Sequence, residues 1–427
     1  MDARHLETQD VVLEDEEMIL EDEIAQEYEL GDVPDEDDDM DVEGDENEAD
    51  VSAEIVDDAR LVFRGHTGPV YAISVHPLDK NIILSGGGDD VGLIWSMEDL
   101  SVKHVLKGHT DSVVAVGFSF DGMLAATGGY DGIVKVWNVQ TGALLHTLDG
   151  PSQEIEWIKW HSKGNVLLAG SGDGTAWMWL AATGECMHVF AGHEDSITCG
   201  SFTGSGKMIA TGSADCTVRL WNPKTGECAH VFRGNEFHEG PICNVICHPK
   251  QPVMISCSQD GSARLLHIQN KRQLATFSHA TNEAAAGTIA ADDSMAVNSV
   301  EWCVTATHCL THFDCSAGFC NTLNWCATAD LGGELRIWDL ATYQCRHICR
   351  HEAGVIKLMW HPTEPFVYTC TVDGMIHIWD ARSGQLQRSL SGHQEMILDM
   401  DLITRNGALA DLITASDDET VRIFNLN

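Results

Sequence analysis

The sequence predicts an all-β protein, a closed β-propeller of eight blades behind a disordered acidic arm, and three observations carry that prediction. A unit of about 42 residues recurs along the chain, an aromatic residue ends the third strand of most copies, and the two ends of the repeat region supply complementary pieces of one blade. At 427 residues the chain exceeds the usual size of a single hydrophobic core, so a repeat array has to absorb the length.

The arm comes first. Residues 1–58 hold 27 acidic residues and one base, Arg4, out of a formal net charge of −41 for the chain. Such a segment buries too little apolar surface to offset the entropy of ordering it. Val12 to Leu30 places Leu13, Ile19, Leu20, Ile24 and Tyr28 at loosely helical spacing, which suits folding against a partner as well as it suits a solvated tail. Residues 59–427 carry the remaining −15, so both parts repel nucleic acid and anionic membrane and attract polycations. No apolar run approaches a membrane span and no signal peptide opens the chain, which predicts a soluble, cytoplasmic and also nuclear protein. The fifteen cysteines sit mostly singly at strand positions and read as reduced core thiols.

In the repeat region the third strands end at Trp95, Trp137, Trp179 and Trp221, then at Leu266, Trp338, Trp379 and Phe424, which makes eight units. An Asp stands six residues earlier in seven of them, at Asp89, Asp131, Asp173, Asp215, Asp260, Asp373 and Asp418, and marks a tight strand-to-strand turn. Unit six has Gly332 there instead. Gly-His pairs open units at Gly65-His66, Gly108-His109, Gly192-His193 and Gly392-His393, with His351 and His238 as degenerate versions. Each unit closes with an outer strand such as His104-Val105-Leu106, except the last, which stops at Asn427. Residues 59–63 have no unit of their own and are expected to pair into that final blade, removing an open sheet edge.

Unit six spans 30 residues more than the regular 42. Alignment of Trp302 with Phe118 divides the excess into two loops within residues 280–322, the second holding Cys303, His308, Cys309, His312, Cys315 and Cys320. Their spacing matches no paired Cys-x-x-Cys framework, so no metal site and no cofactor is assigned.

The period, the Gly-His pairs and the Trp endings resemble the WD-repeat family over Arg60 to Asn427. The resemblance implies that His109, Thr127, Asp131 and Trp137 form a hydrogen-bonded set that holds a blade, so the many His and Asp residues are architectural. There is no Gly-rich phosphate loop, nucleophile elbow or metal-ligand helix, and the chain is read as no enzyme.

Binding is expected on the rim where loops enter the innermost strands. The acids there are Asp111, Glu154, Glu156, Glu194, Asp195, Glu239, Glu301, Glu352, Glu395, Asp399 and the turn residue Asp417, with Tyr71 and Tyr130 on the same rim and Lys159 and Lys357 as the few bases. Asp111, Asp195 and Glu352 have turn capping as an alternative role. Unit three lacks its His and carries Glu156 and Trp157, a pair suited to an arginine through ionic and cation-π contact, with Trp157 as plain core the other reading.

The acidic arm, the Arg64-Gly65-His66-Thr67-Gly68-Pro69-Val70 opening and Glu154-Ile155-Glu156-Trp157-Ile158-Lys159-Trp160-His161 resemble the angio-associated migratory cell protein family. That family includes the yeast dedicated chaperone of a large-subunit ribosomal protein. The resemblance implies a chaperone that holds the basic segment of a ribosomal protein on an acidic face during 60S assembly; the chain is read as a monomer, and its charge as excluding direct nucleic-acid binding. A signalling adaptor linked to cell migration is the alternative.

Overall fold

The computed structural model describes residues 57–234, 237–279, 315–320, 322–405 and 408–426, with backbone alone at Cys315 and Ala408. The acidic arm up to residue 56 lies outside the described residues. What is described is eight four-stranded antiparallel sheets in a closed ring. In each blade, strands a to d run outward from the central channel. The a strands are Val70–Val75, Val113–Phe118, Ile155–Trp160, Cys199–Phe202, Ile242–Cys247, Cys315–Phe319, Val355–Trp360 and Ile397–Arg405.

Packing follows from what each strand is made of. The b strands, such as Leu124–Gly129, are buried throughout, because a sheet lies against each of their faces. Their small residues set the spacing between blades: a Cβ on Gly128 would meet Ile155 Cγ2 at 2.8 Å, and one on Gly212 would meet Ile242 Cγ2 at 2.5 Å. The d strands alternate instead, so Val102, Val105, Leu144 and Met187 face solvent while Leu106 and Leu148 face the core. Tight turns join strands b and c, and Gly132 and Gly174 adopt φ of 74° and 76° there, the left-handed region that favours glycine.

Ring closure is as the ends of the sequence predict. Strand Ala59–Phe63 is the d strand of blade eight, antiparallel to Val421–Asn425, with Phe63 opposite Val421. Phe63 also stacks on Trp95 of blade one at 4.0 Å between ring centres. Two residues ahead of the strand extend the seam. Asp57 pairs with Arg422, and Asp58 exchanges hydrogen bonds of 2.9 Å with the Ser391 backbone.

Blade six corrects two expectations. Its a strand is Cys315–Phe319, so Phe319, not Trp302, stands where Phe118 stands in blade two. Phe319 to Thr328 is then the same nine-residue step as Phe118 to Thr127, and the 30 extra residues form one insertion ahead of strand a rather than two loops. Trp302 and Phe319 are both aromatic, and only strand pairing separates them. Cys320 is 1% exposed in the core, which removes it from any loop cluster. Cys303, His308, Cys309, His312 and Glu301 lie outside the described residues. Gly332 is not a lost turn acid either: Asp330, two residues earlier, takes that role, with His279 Nδ1 2.8 Å from its carboxylate.

Candidate functional site

The face that carries the d-to-a connections and the b-to-c turns is built the same way in blade after blade. In blade two the Trp137 indole donates to Thr127 Oγ1 at 3.0 Å, that hydroxyl lies 2.8 Å from His109 Nε2, and His109 Nδ1 lies 3.0 Å from Asp131. A carboxylate only accepts, so Nδ1 carries the proton and Nε2 accepts from Thr127. The set ties the connection, the turn and the sheet together. His66, His193, His238 and His393 make the same contacts to Ser85 and Asp89, Thr211 and Asp215, Ser256 and Asp260, and Thr414 and Asp418. Burial works to raise the Asp215, Asp260 and Asp418 carboxyls, and the hydrogen bonds from their histidines, from the Thr217, Ser262 and Thr420 hydroxyls and from backbone N–H groups together outweigh it and hold them well below the usual range.

Blades three and seven depart from that set. In blade three Asp173 accepts from the Ser152 backbone N–H at 2.8 Å, and Trp177 fills the room beneath Gly150. In blade seven His351 Nδ1 donates to the Gly333 carbonyl at 2.9 Å, while Nε2 receives the Trp379 indole N–H at 3.0 Å and contacts Thr369 Oγ1 at 2.8 Å. Burial, helped by the neighbouring His377 and opposed by the Gly333 hydrogen bond, pushes the His351 pKa down to about 4.

A second repeated contact shapes the rim itself. The backbone N–H just ahead of the turn acid donates to a carbonyl of the d-to-a connection: Tyr130 to Ser112, Gly172 to Glu154, Ala214 to Ser196, Gln259 to Pro241 and Asp417 to Met396, all at 2.9 to 3.1 Å. Tyr130, Gln259 and Asp417 therefore hold equivalent rim positions. Gln259 went unnoticed in the sequence, although its place one residue before Asp260 was there to be read.

Between blades two and five this rim encloses a cavity of about 540 Å³ lined by Asp111, Tyr130, Glu154, Glu156, Asp195, Ser196, Thr198, Ala214, Pro241 and Gln259. Five of the sequence-predicted residues of this sector, Asp111, Tyr130, Glu154, Glu156 and Asp195, come together here, while Glu194 and Glu239 do not line it. Among the described residues the lining has four carboxylates and no Lys or Arg. Glu156 accepts from Ser196 Oγ at 3.1 Å, which aims its carboxylate across the blade three to four boundary. Asp111 and Asp195 each accept the N–H of the following residue at 2.7 Å, so they brace their turns with one oxygen and face the cavity exposed.

Trp157, by contrast, does not face the cavity. It is 8% exposed, lies against Gly170 and Gly200, and donates its indole N–H to the Ile197 carbonyl at 2.8 Å. Strand alternation after the bulge at Ile155 sends neighbouring residues opposite ways, so the ring is core between blades three and four and has no face for an arginine. Asp399 is not an open rim acid either. It pairs with Lys357 and accepts the Ile73 N–H at 2.9 Å, as Asp401 accepts the Val75 N–H at 3.2 Å, stitching blade eight to blade one. Lys159 and Lys357 line the central channel rather than the rim, as does Tyr71. Burial and then Lys357 lower the Lys159 pKa.

Blades seven and eight add a second acidic sector. Glu352 is exposed on the connection ahead of Val355–Trp360, outside the cavity. Asp417 bonds Glu395, and both carboxyls are raised, by burial and then by the acids around them, Asp418 for Asp417 and Asp417 for Glu395. Among the described residues no group of three or more His, Cys, Asp or Glu is placed to hold a metal.

Three comparisons bear on this geometry. The family described as WD domain, G-beta repeat, matches residues 59–96, 100–138, 142–179, 184–222, 226–266, 343–380 and 384–425. The chain is 34% identical over 373 residues to the human angio-associated migratory cell protein, a match that covers 87% of this chain and 81% of that protein. Among solved structures it is similar to Sqt1 of Saccharomyces cerevisiae, with a TM-score of 0.74, 21% identity and coverage of 87% of this chain and all of that one. It is also similar, with a TM-score of 0.73, 20% identity and the same coverage, to Chaetomium thermophilum Sqt1 bound to the N-terminus of the ribosomal protein L10.

Proposed function

The chain is a WD-repeat protein of the angio-associated migratory cell protein family, and from that premise we propose that it is a non-catalytic chaperone. It holds the basic segment of a newly made large-subunit ribosomal protein on its acidic rim until the segment enters the 60S particle. The observation that carries this reading is the cavity between blades two and five, whose lining among the described residues brings four carboxylates together. The likeness to an Sqt1 bound to a ribosomal protein N-terminus supports the same client class.

The chemistry is one of charge and shape. A new ribosomal protein is a polycation that aggregates or binds RNA wrongly until it is screened. A guanidinium entering the cavity exchanges water for two or more carboxylates, each charge-assisted hydrogen bond contributing about 1.5–3 kcal/mol. Tyr130 offers a ring face for the same group. Exposed acids along the rim speed capture and make binding weaken as salt screens them.

The test pairs Glu156→Lys in one acidic sector with Asp417→Lys in the other. A Lys/Arg-rich peptide from a ribosomal protein N-terminus is expected to bind the double variant more than tenfold more weakly by calorimetry, with thermal melting unchanged. Equal affinity for wild type and variant would reject the rim as the site.

A further inference from the structure

The face opposite the rim carries the a-to-b and c-to-d turns, and over blades three to five its charge is of the other sign. Lys163, Lys207 and Lys250 stand on three consecutive a-to-b turns, and Lys224 and Lys271 on the adjoining c-to-d turns. All five are exposed, and among the described residues none of them forms an ion pair. The three inner turns touch: a Cβ on Gly206 would lie 2.6 Å from His161 Nε2, and one on Gly204 would lie 2.3 Å from the Pro249 carbonyl oxygen. The acids of the arc, Glu185 and Glu227, stand outward at the start of the d strands, beside Thr183 and Thr225.

We infer that this basic arc docks the phosphate backbone of RNA. Between the lysines lie Ser162, Gly164, Ser205, Gly206, Pro249 and Gln251, with no large apolar side chain to anchor a protein partner. What remains is a row of mobile point charges without a fixed fork, which matches the sequence-independent contacts made to a nucleic-acid backbone. The acidic net charge of the chain does not forbid this. A six-residue strand separates the two faces by about 20 Å, more than twice the screening length of ~8 Å at physiological salt. The preference for RNA over DNA, though not the surface itself, rests on the ribosomal client proposed above.

The test measures binding of a short RNA duplex, a DNA duplex and a poly-glutamate peptide to the full chain at about 50 mM salt, by fluorescence anisotropy. RNA is expected to bind in the micromolar range and to weaken steeply with salt. Lys163→Glu, Lys207→Glu and Lys250→Glu together are expected to reduce that affinity at least tenfold while leaving the basic peptide's affinity and the melting curve unchanged. Absence of RNA binding by wild type, equal binding by the triple variant, or a preference for poly-glutamate overturns the inference. DNA binding as well as RNA, lost in the triple variant, overturns the choice of RNA alone. Loss of the basic peptide from wild type, by contrast, rejects the client reading and leaves the phosphate surface standing.

Discussion

His351 has kept its place in blade seven while changing what it bonds, and the change fixes its charge. With Nδ1–H committed to the Gly333 carbonyl and Nε2 occupied by an indole donor, a second proton on the ring would face the Trp379 N–H. The folded pKa near 4 lies below the ordinary 6.5, so at pH above 6.5 both folded and unfolded chains hold the ring neutral and stability is full. As the pH falls from 6.5 towards 4 the unfolded chain takes up a proton that the folded chain refuses, and stability is lost by a few kcal/mol. His238, His248, His361, His377 and His393 are lowered mainly by burial and act in the same direction. The expected outcome is a melting temperature that is level above pH 7 and drops between pH 6.5 and 4, with a shallower drop in His351→Gln; equal slopes for the two proteins would count against this account. Trp157 makes the complementary case. Trp157→Ala is expected to cost about 3–5 kcal/mol by denaturant unfolding, as a buried aromatic does, and to leave basic-peptide affinity within twofold where the protein is folded. Glu156 and Trp157 looked like one unit in the sequence because both break the repeat pattern of blade three. Which of two neighbours faces the rim depends on a bulge at Ile155, and a bulge leaves no mark in composition.

A blade is the element that decides stability, and two of the eight explain most of what sequence reading achieved and missed. Blade eight was legible because strand d is absent after Phe424 and a spare strand stands before His66, so closure followed from counting. The seam now extends two residues further. A 57–427 fragment is expected to fold like the full chain, and a 59–427 fragment to melt about 2–5 °C lower for want of the Asp57–Arg422 and Asp58–Ser391 contacts. A 64–427 fragment is expected to be insoluble, because Val421–Asn425 becomes an open edge and Trp95 loses the Phe63 ring. A monomeric, well-folded 64–427 fragment would show that the outer strand is dispensable. Blade six was misread because its insertion separates His279 from Thr328 by 49 residues where blade two has 18 between His109 and Thr127. The family match also passes over this blade, going from 266 to 343. His279→Ala and His109→Ala are each expected to destabilise the protein by about 1–3 kcal/mol, measured by chemical unfolding; a silent His279→Ala would place blade six outside the common design.

At the scale of the whole molecule the eightfold repeat separates two jobs. Buried Thr, His, Asp and Trp residues hold blades together, and side chains from one blade bond the channel strand of the next, as Trp160 does with the Gly117 carbonyl at 3.0 Å. On the proposed reading, function is left to positions that the repeat does not constrain, namely the residues before or at the start of strand a and just before the turn acid. That is why the ring itself could be read from spacing, and why the cavity could be read only as a set of rim acids whose grouping had to come from the structure. On the proposed function a basic ribosomal segment lies on this rim, over blades two to five. Hydrogen exchange of the full chain, with and without a Lys/Arg-rich ribosomal N-terminal peptide, tests it most directly. Slowed exchange is expected at residues 110–113, 152–157 and 195–198, with none at the a-to-b turns on the opposite face. Protection confined to those turns or to the outer strands would contradict the claim and point to a partner held elsewhere on the ring.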